Sequence, residues 1–331
     1  MTRSDNLFLL AGFQLRPDPM QDSVTVPLYA LWPGRNRFLC GGILRYGPMK
    51  DCGYNVCLWT TILIPTLFFF SLPAPVVWTE VSPAIVIVTI GLALLTFTLF
   101  VITSFSDPGY IPNKEVQVLL GIQDDVRRAL GIPSPDLVAN EKVYVEGNAL
   151  VLKLQDEFDD RILLTEQLEL QGYKYCTTCR IIRPPRAAHC ADCNNCCTRH
   201  DHHCPFVNNC VGHRNYLFFT SFIVSALVLG VMIIFSIVLW MSNGQSTTFV
   251  SPLVIEIIGF VVGVPVGLLL LAAGGFWLYH IHLACRGQTT RENLRGRQPS
   301  SINPSGSVFS RPARLYPSLR TMVTVPVRSP S

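Results

Sequence analysis

Four long apolar runs stand out along the chain, at about 58–78, 84–105, 216–241 and 253–282. Each is close to the ~20 residues that an α-helix needs to cross a bilayer. Glu256 is the only Asp, Glu, Lys or Arg inside them. Pro65 and Pro73 predict kinks in the first run, which a helix bundle tolerates. Asp107-Pro108-Gly109 is a helix-stopping turn at the end of the second. Gly259, Gly263 and Gly267 place small residues on one face of the fourth, where helices can approach closely in lipid. The expected fold is an α-helical polytopic membrane protein with four transmembrane helices. The intervening chain is polar. Residues 110–172 read as an acid-rich, solvated or partner-facing connector, with a short hairpin over Val143–Leu154 around Glu146-Gly147-Asn148. From about 296 the chain is rich in Ser, Pro and Arg and is expected to be disordered. The organisation predicted is an N-terminal segment (1–57), two spans (58–105), a connector (106–172), a cysteine-rich domain (173–215), two further spans (216–285) and a tail (286–331).

Composition agrees. Charged residues make up 15% of the chain, against about 25% in soluble domains. The 26 Lys and Arg divide as 6 before the first run, 12 between the second and third, and 8 after the fourth. The short connections 79–83 and 242–252 have none. By the positive-inside tendency, both termini and the 106–215 segment face the cytosol. The net charge of +4 is then a matter of topology, and nucleic acid is excluded as a partner. Residues 1–57 show no signal-peptide pattern, so the first span is expected to act as its own insertion signal.

Eight of the 12 cysteines fall between Cys176 and Cys210. On the cytosolic side thiols stay reduced, so a cluster points to metal or catalysis and not to disulfides. Cys176-x2-Cys179 and Cys190-x2-Cys193 have zinc-knuckle spacing, in which one short turn brings two thiolates to one tetrahedral ion. With Cys196, Cys197, Cys204, Cys210, His189, His200, His202 and His203, twelve candidate ligands are present. Two closed sites need eight, so four groups are left over. Spacing alone does not say which.

Asp201-His202-His203-Cys204 is the signature of the DHHC protein S-acyltransferases, and the chain resembles that family. Lys174-Tyr175-Cys176, Arg183-Pro184-Pro185-Arg186, His189-Cys190, Val207 to Gly212 and Asn215-Tyr216 match its cysteine-rich domain. Asp107-Pro108-Gly109 and Thr289-Thr290-Arg291-Glu292 match two further motifs. The resemblance implies two structural zinc ions, one on Cys176, Cys179, His189 and Cys196, the other on Cys190, Cys193, His203 and Cys210. It implies Cys204 as nucleophile, His202 as base and Asp201 as its orienting carboxylate, with palmitoyl or a similar chain delivered by acyl-CoA to substrate cysteines. Arg183 and Arg186 suit the CoA phosphates, because guanidinium binds phosphate in bidentate fashion. Thr289, Thr290 and Phe206 are expected to support the catalytic loop. The branch resembled most acylates Ras-like GTPases at Golgi or endoplasmic reticulum membranes, beside membrane lipids and with a small accessory subunit. Three departures stand out. Phe206 replaces the usual Trp. Cys197 replaces a usual Val, as a spare hydrophobe or as a substitute ligand for Cys196. An aromatic-rich motif in the tail is not recognisable. The alternative reading is a membrane-anchored zinc module or scaffold with no use for Cys204.

Overall fold

The protein is described by a computed structural model over residues 23–134, 141–146, 151–243, 251–297 and 313–328. Among the described residues, four helices are long and apolar enough to cross a membrane: α1 (Cys52–Ser71), α2 (Pro83–Phe105), α3 (Tyr216–Asn243) and α4 (Pro252–Cys285). The first starts at Cys52, not near 58. It ends at Ser71, because Pro73 lacks an N–H and its ring clashes with the preceding turn. A helical turn (Pro73–Val76) and a π turn (Val77–Val81) then lead to Ser82, whose hydroxyl caps α2 by accepting from the Ala84 N–H at 3.3 Å.

The spans are apolar all round, so which face is buried is decided by packing. On α2 the buried stripe is Val86, Thr89, Ala93, Thr96, Phe100 and Thr103, a three-four spacing that keeps one face on a neighbour. It packs on α3, where Leu229, Ile233 and Ile237 share a core with Val86 and Ala93. The glycine face of α4 meets α3 as expected. A methyl on Gly259 would stand 2.6 Å from Met241 Sδ, and Gly263 and Gly267 face Ile237 and Ile234.

The segments before α1, between α2 and α3, and after α4 gather at one end of the bundle. There they form a four-stranded sheet in the order Ser23–Pro27, Met322–Arg328, Lys142–Glu146, Val151–Gln155. Two expectations change here. Residues 313–328 of the tail are ordered, and Met322–Arg328 is an inner strand that pairs antiparallel with Ser23–Pro27 and parallel with Lys142–Glu146. The cause is visible as an alternation of Val323, Val325 and Val327, the period of a half-buried strand. The rest of the tail, 298–312 and 329–331, lies outside the described residues. The connector is also packed and not solvated. Its hairpin forms with Val143 opposite Leu154, its tip at 147–150 lying outside the described residues. Lys114 is buried between Asp160 at 2.7 Å and Glu141 at 3.1 Å, and Arg127 reaches the same Asp160 at 2.8 Å. Asp160 and Glu141 thus compensate buried cations.

Candidate active site

The cysteine-rich segment is a series of short antiparallel hairpins. Lys174–Cys176 pairs with Ile181–Arg183, Ala188–Cys190 with Asn195–Cys197, and His202–Cys204 with Asn209–Val211. The tight turns place Arg180, Asn194 and Asn208 at positive φ (55°, 52° and 48°). Register assembles the ligands. Cys196 lies opposite His189, and Cys210 opposite His203. Such cross-strand partners on one face have Cβ atoms about 5 Å apart. Each pair joins one Cys-x2-Cys knuckle. The result is two groups, Cys176, Cys179, His189, Cys196 and Cys190, Cys193, His203, Cys210, each with its ligand atoms within 4.8 Å of one another.

The fit to zinc can be tested on distances. A tetrahedral ion with Zn–S about 2.3 Å and Zn–N about 2.0 Å requires S···S edges near about 3.8 Å and S···N edges near about 3.5 Å. The observed edges are Cys179 Sγ–His189 Nδ1 3.4 Å, Cys196 Sγ–His189 Nδ1 3.8 Å, Cys193 Sγ–His203 Nδ1 3.4 Å, Cys210 Sγ–His203 Nδ1 3.7 Å and Cys210 Sγ–Cys193 Sγ 3.5 Å. Both groups fit. Cys197 is not a substitute ligand. Strand alternation turns it to the other face, where its thiol lies 3.5 Å from the Pro108 carbonyl.

Of the four groups outside the clusters, His202 and Cys204 form the chemical centre. Asp201 Oδ2 is 2.6 Å from His202 Nδ1. Burial pulls the His202 imidazole down, but bonds and charges from Asp201 and Cys204 outweigh it and raise it to about 9. Burial pushes the Cys204 thiol up, yet His202 and the Val207 and Phe206 N–H groups hold it below the ordinary cysteine value. Burial likewise raises Asp201, and His202 and Thr290 overcome it, so the carboxylate stays low. The arrangement sets a thiol of lowered pKa beside an imidazole of raised pKa that a buried carboxylate orients. His200, the third group, is buried and interacts with the Cys190 thiol of the second cluster.

The Thr-Thr-x-Glu motif locks this unit. It opens a short helix, α5 (Thr290–Leu294), with Thr289 and Glu292 forming a reciprocal capping box. Thr290 donates to Asp201 from its N–H at 2.8 Å and from its hydroxyl at 2.7 Å. Thr289 therefore acts on the helix end and Thr290 on the Asp201 carboxylate. Arg186 departs from expectation. Its guanidinium grips Glu292 through two 2.8 Å bonds and the Gly287 carbonyl at 2.7 Å. With its side chain 5% exposed, it has no fork left for a phosphate. Arg183 stands instead with Lys174, Arg291, Arg295 and Arg297. Arg297, burial, Arg183 and Arg295 together hold Lys174 below its usual value, the signature of unneutralised positive charge.

Below Cys204 an apolar cavity of about 440 Å³ runs between α1, α3 and α4. It extends from Phe219 to Ile233 on α3, about 21 Å at 1.5 Å per residue. Leu58, Ile62, Gly230 and Leu270 line it, and Phe206 sits at the Cys204 end with its ring 5.9 Å from Tyr54. Asn55 and Asn209 hold the loop from opposite sides. Asn55 Nδ2 donates to Phe206 O at 2.7 Å, and Asn209 Nδ2 caps the end of α2 at Ser106 O (2.8 Å) and Thr103 O (3.2 Å). Sequence reasoning assigned no role to Asn55, Asn209 or Asp51, the last lying 2.9 Å from His203. Their partners are 103 to 152 residues away, and only a matched motif flagged Asn209.

Comparison with known proteins agrees with this geometry. The family profile described as DHHC palmitoyltransferase matches residues 169–297. The probable protein S-acyltransferase 2 of Arabidopsis thaliana is 33% identical over 299 residues, 86% of this chain and 66% of that protein, so the chain spans just under two thirds of its length. The probable protein S-acyltransferase 1 of the same organism is 32% identical over 292 residues, 84% of this chain and 77% of that protein. The palmitoyltransferase erf2 of Emericella nidulans is 30% identical over 273 residues, 82% of this chain and 42% of that protein. With four membrane helices, two Cys3His clusters and the Asp-His-His-Cys strand between them, the chain belongs to the DHHC palmitoyltransferase family.

Proposed function

We propose that this protein is a protein S-acyltransferase that moves palmitoyl or a similar long acyl chain from acyl-CoA to cysteines of substrate proteins, through an acyl-Cys204 intermediate. The observation that carries this reading is the Cys204 thiol at the end of a long apolar cavity, bonded to a His202 that Asp201 orients. The Cys204 thiolate attacks the thioester carbonyl, and the departing CoA thiolate takes the proton that His202 holds. A substrate thiol then gives its proton to His202 and attacks the acyl-Cys204 thioester, which releases Cys204 as thiolate. The cavity supplies binding, since each methylene moved out of water contributes about 0.8 kcal/mol. Lys174, Arg183, Arg291, Arg295 and Arg297 are suited to the CoA phosphates. The two clusters would each hold a zinc ion, and with four protein ligands at each the ions supply rigidity to the catalytic strand.

The basic segments suggest that both termini and the catalytic domain face the cytosol, in a Golgi or endoplasmic reticulum membrane. Ras-like GTPases as substrates, and a small accessory subunit, follow from the resemblance of Gly34 to Phe38, Lys174 to Cys176 and Arg183 to Arg186 to that branch. The test is to feed cells an alkyne-tagged palmitate and to map hydroxylamine-labile label on wild type and Cys204→Ser. Label lost in the mutant, with zinc content unchanged, supports the reading. Equal label on both would sink it in favour of a zinc-binding scaffold acylated by another enzyme.

A further inference from the structure

We propose that Asp51, which precedes the first span, is the outer partner of the second metal cluster, and that it ties the acyl-cavity wall α1 to the strand carrying Cys204. The inference rests on the zinc reading above. His203 turns Nδ1 to the sulfurs of Cys193 and Cys210, at 3.4 and 3.7 Å. An imidazole that binds metal through Nδ1 carries its hydrogen on Nε2, and a buried N–H needs an acceptor. Asp51 Oδ2 lies 2.9 Å from His203 Nε2, with side chains 7% and 10% exposed. A carboxylate there sets the tautomer, fixes the ring plane and makes the ligating nitrogen more basic.

The placement of Asp51 gives this bond its reach. It ends the turn Met49–Asp51, and Cys52, the next residue, opens α1. α1 in turn lines the acyl cavity through Leu58, Ile62 and Pro65. On the other side, His203 stands between His202 and Cys204 in one strand. Strand alternation then directs those two side chains away from the metal. The same turn meshes with the cluster elsewhere. Lys50 pairs with Asp192 inside the Cys190–Cys193 knuckle, and the Gly47 N–H donates to Asn208 O at 2.6 Å. A Cβ on Gly47 would stand 2.5 Å from that carbonyl oxygen, so only glycine permits the approach.

The test uses the full-length protein in detergent. Zinc is counted before and during a chelator challenge, and newly alkylated cysteines are mapped by peptide mass. Wild type is expected to hold two ions. Asp51→Ala should release one of them about 10- to 100-fold faster, with alkylation appearing at Cys190, Cys193 and Cys210 while Cys176, Cys179 and Cys196 stay protected. Asp51→Asn keeps an acceptor but no charge, so its release should be intermediate. Lys50→Ala should behave as wild type, because that pair is exposed. Release of both ions at the wild-type rate in both Asp51 variants, or equal acceleration at the two clusters, would overturn the proposal. A wild-type protein without zinc would overturn it together with the zinc reading, and the initial metal count separates these cases.

Discussion

Asp201 uses both carboxylate oxygens on close neighbours, and Thr290 supplies two of the three bonds. Thr290→Val keeps the shape and the backbone bond but removes the hydroxyl. A hydrogen bond to a charged group contributes about 1.5–3 kcal/mol, so acyl-enzyme formation should slow roughly 10- to 100-fold. The rate of label incorporation at fixed acyl-CoA measures this, with zinc content unchanged. Arg183 and Arg186 should separate as sharply. Arg183→Ala is expected to raise the KM for acyl-CoA with little change in thermal stability. Arg186→Ala removes one partner of a buried ion pair, which costs about 3–5 kcal/mol, so its effect should appear as a fall in Tm. Arg186→Lys should restore it poorly, because one ammonium cannot reproduce the two-pronged grip on Glu292.

Among the elements, α3 lines the cavity over the longest stretch, from Phe219 to Ile233. Gly230 lines the cavity, and a methyl there would stand 2.6 Å from Leu270 Cδ2 on α4. Gly230→Leu should therefore block the deep part and shift preference from palmitoyl- toward shorter acyl-CoA. Each methylene excluded forfeits about 0.8 kcal/mol, about fourfold in affinity. Competition between acyl-CoA lengths in the labelling assay reads this directly. An unchanged length profile would mean that the chain does not extend to Gly230. The hairpins show a second rule at this scale. Period-two alternation sends Cys196 to a Cys3His cluster and its neighbour Cys197 to the Pro108 carbonyl, so two adjacent thiols have unlike fates.

For the molecule as a whole, one buried carboxylate joins three distant parts of the chain. Asp107 accepts from the Gly109 and Tyr110 N–H groups, pairs with Arg45 at 2.9 Å and accepts from the Tyr316 hydroxyl at 3.0 Å. Arg45 donates to the same hydroxyl at 2.7 Å and lies over the Tyr110 ring at 4.6 Å. The tail thus reaches the metal domain, since Tyr110 and Ile111 pair with Cys197 and Cys196. Tyr316→Phe leaves a buried guanidinium and carboxylate each short of a partner, at a cost of about 1–3 kcal/mol. Deleting 313–331 also strips the inner strand from the sheet and uncovers Val26, Val143 and Val145. Thermal unfolding in detergent should show a small loss for Tyr316→Phe and a much larger one for the deletion.

Local pattern alone determined the four spans, the helix-stopping Asp107-Pro108-Gly109 turn, the close-packing glycines of α4 and the presence of two metal clusters with spare cysteines and histidines. These depend on hydropathy, turn chemistry and knuckle spacing, all of which act over a few residues. The cysteine-rich motifs also identified the family, because many ligands and loop residues must stand at fixed separations. Only the tertiary structure decided that Arg186 belongs to Glu292, that Cys196 and not Cys197 faces a metal, that Asp51 stands behind His203, and that the tail supplies an inner strand. Each of these depends on strand register or on partners from 7 to 299 residues apart. A guanidinium suited to phosphate suits a buried carboxylate equally well, and the fold sets Glu292 against Arg186.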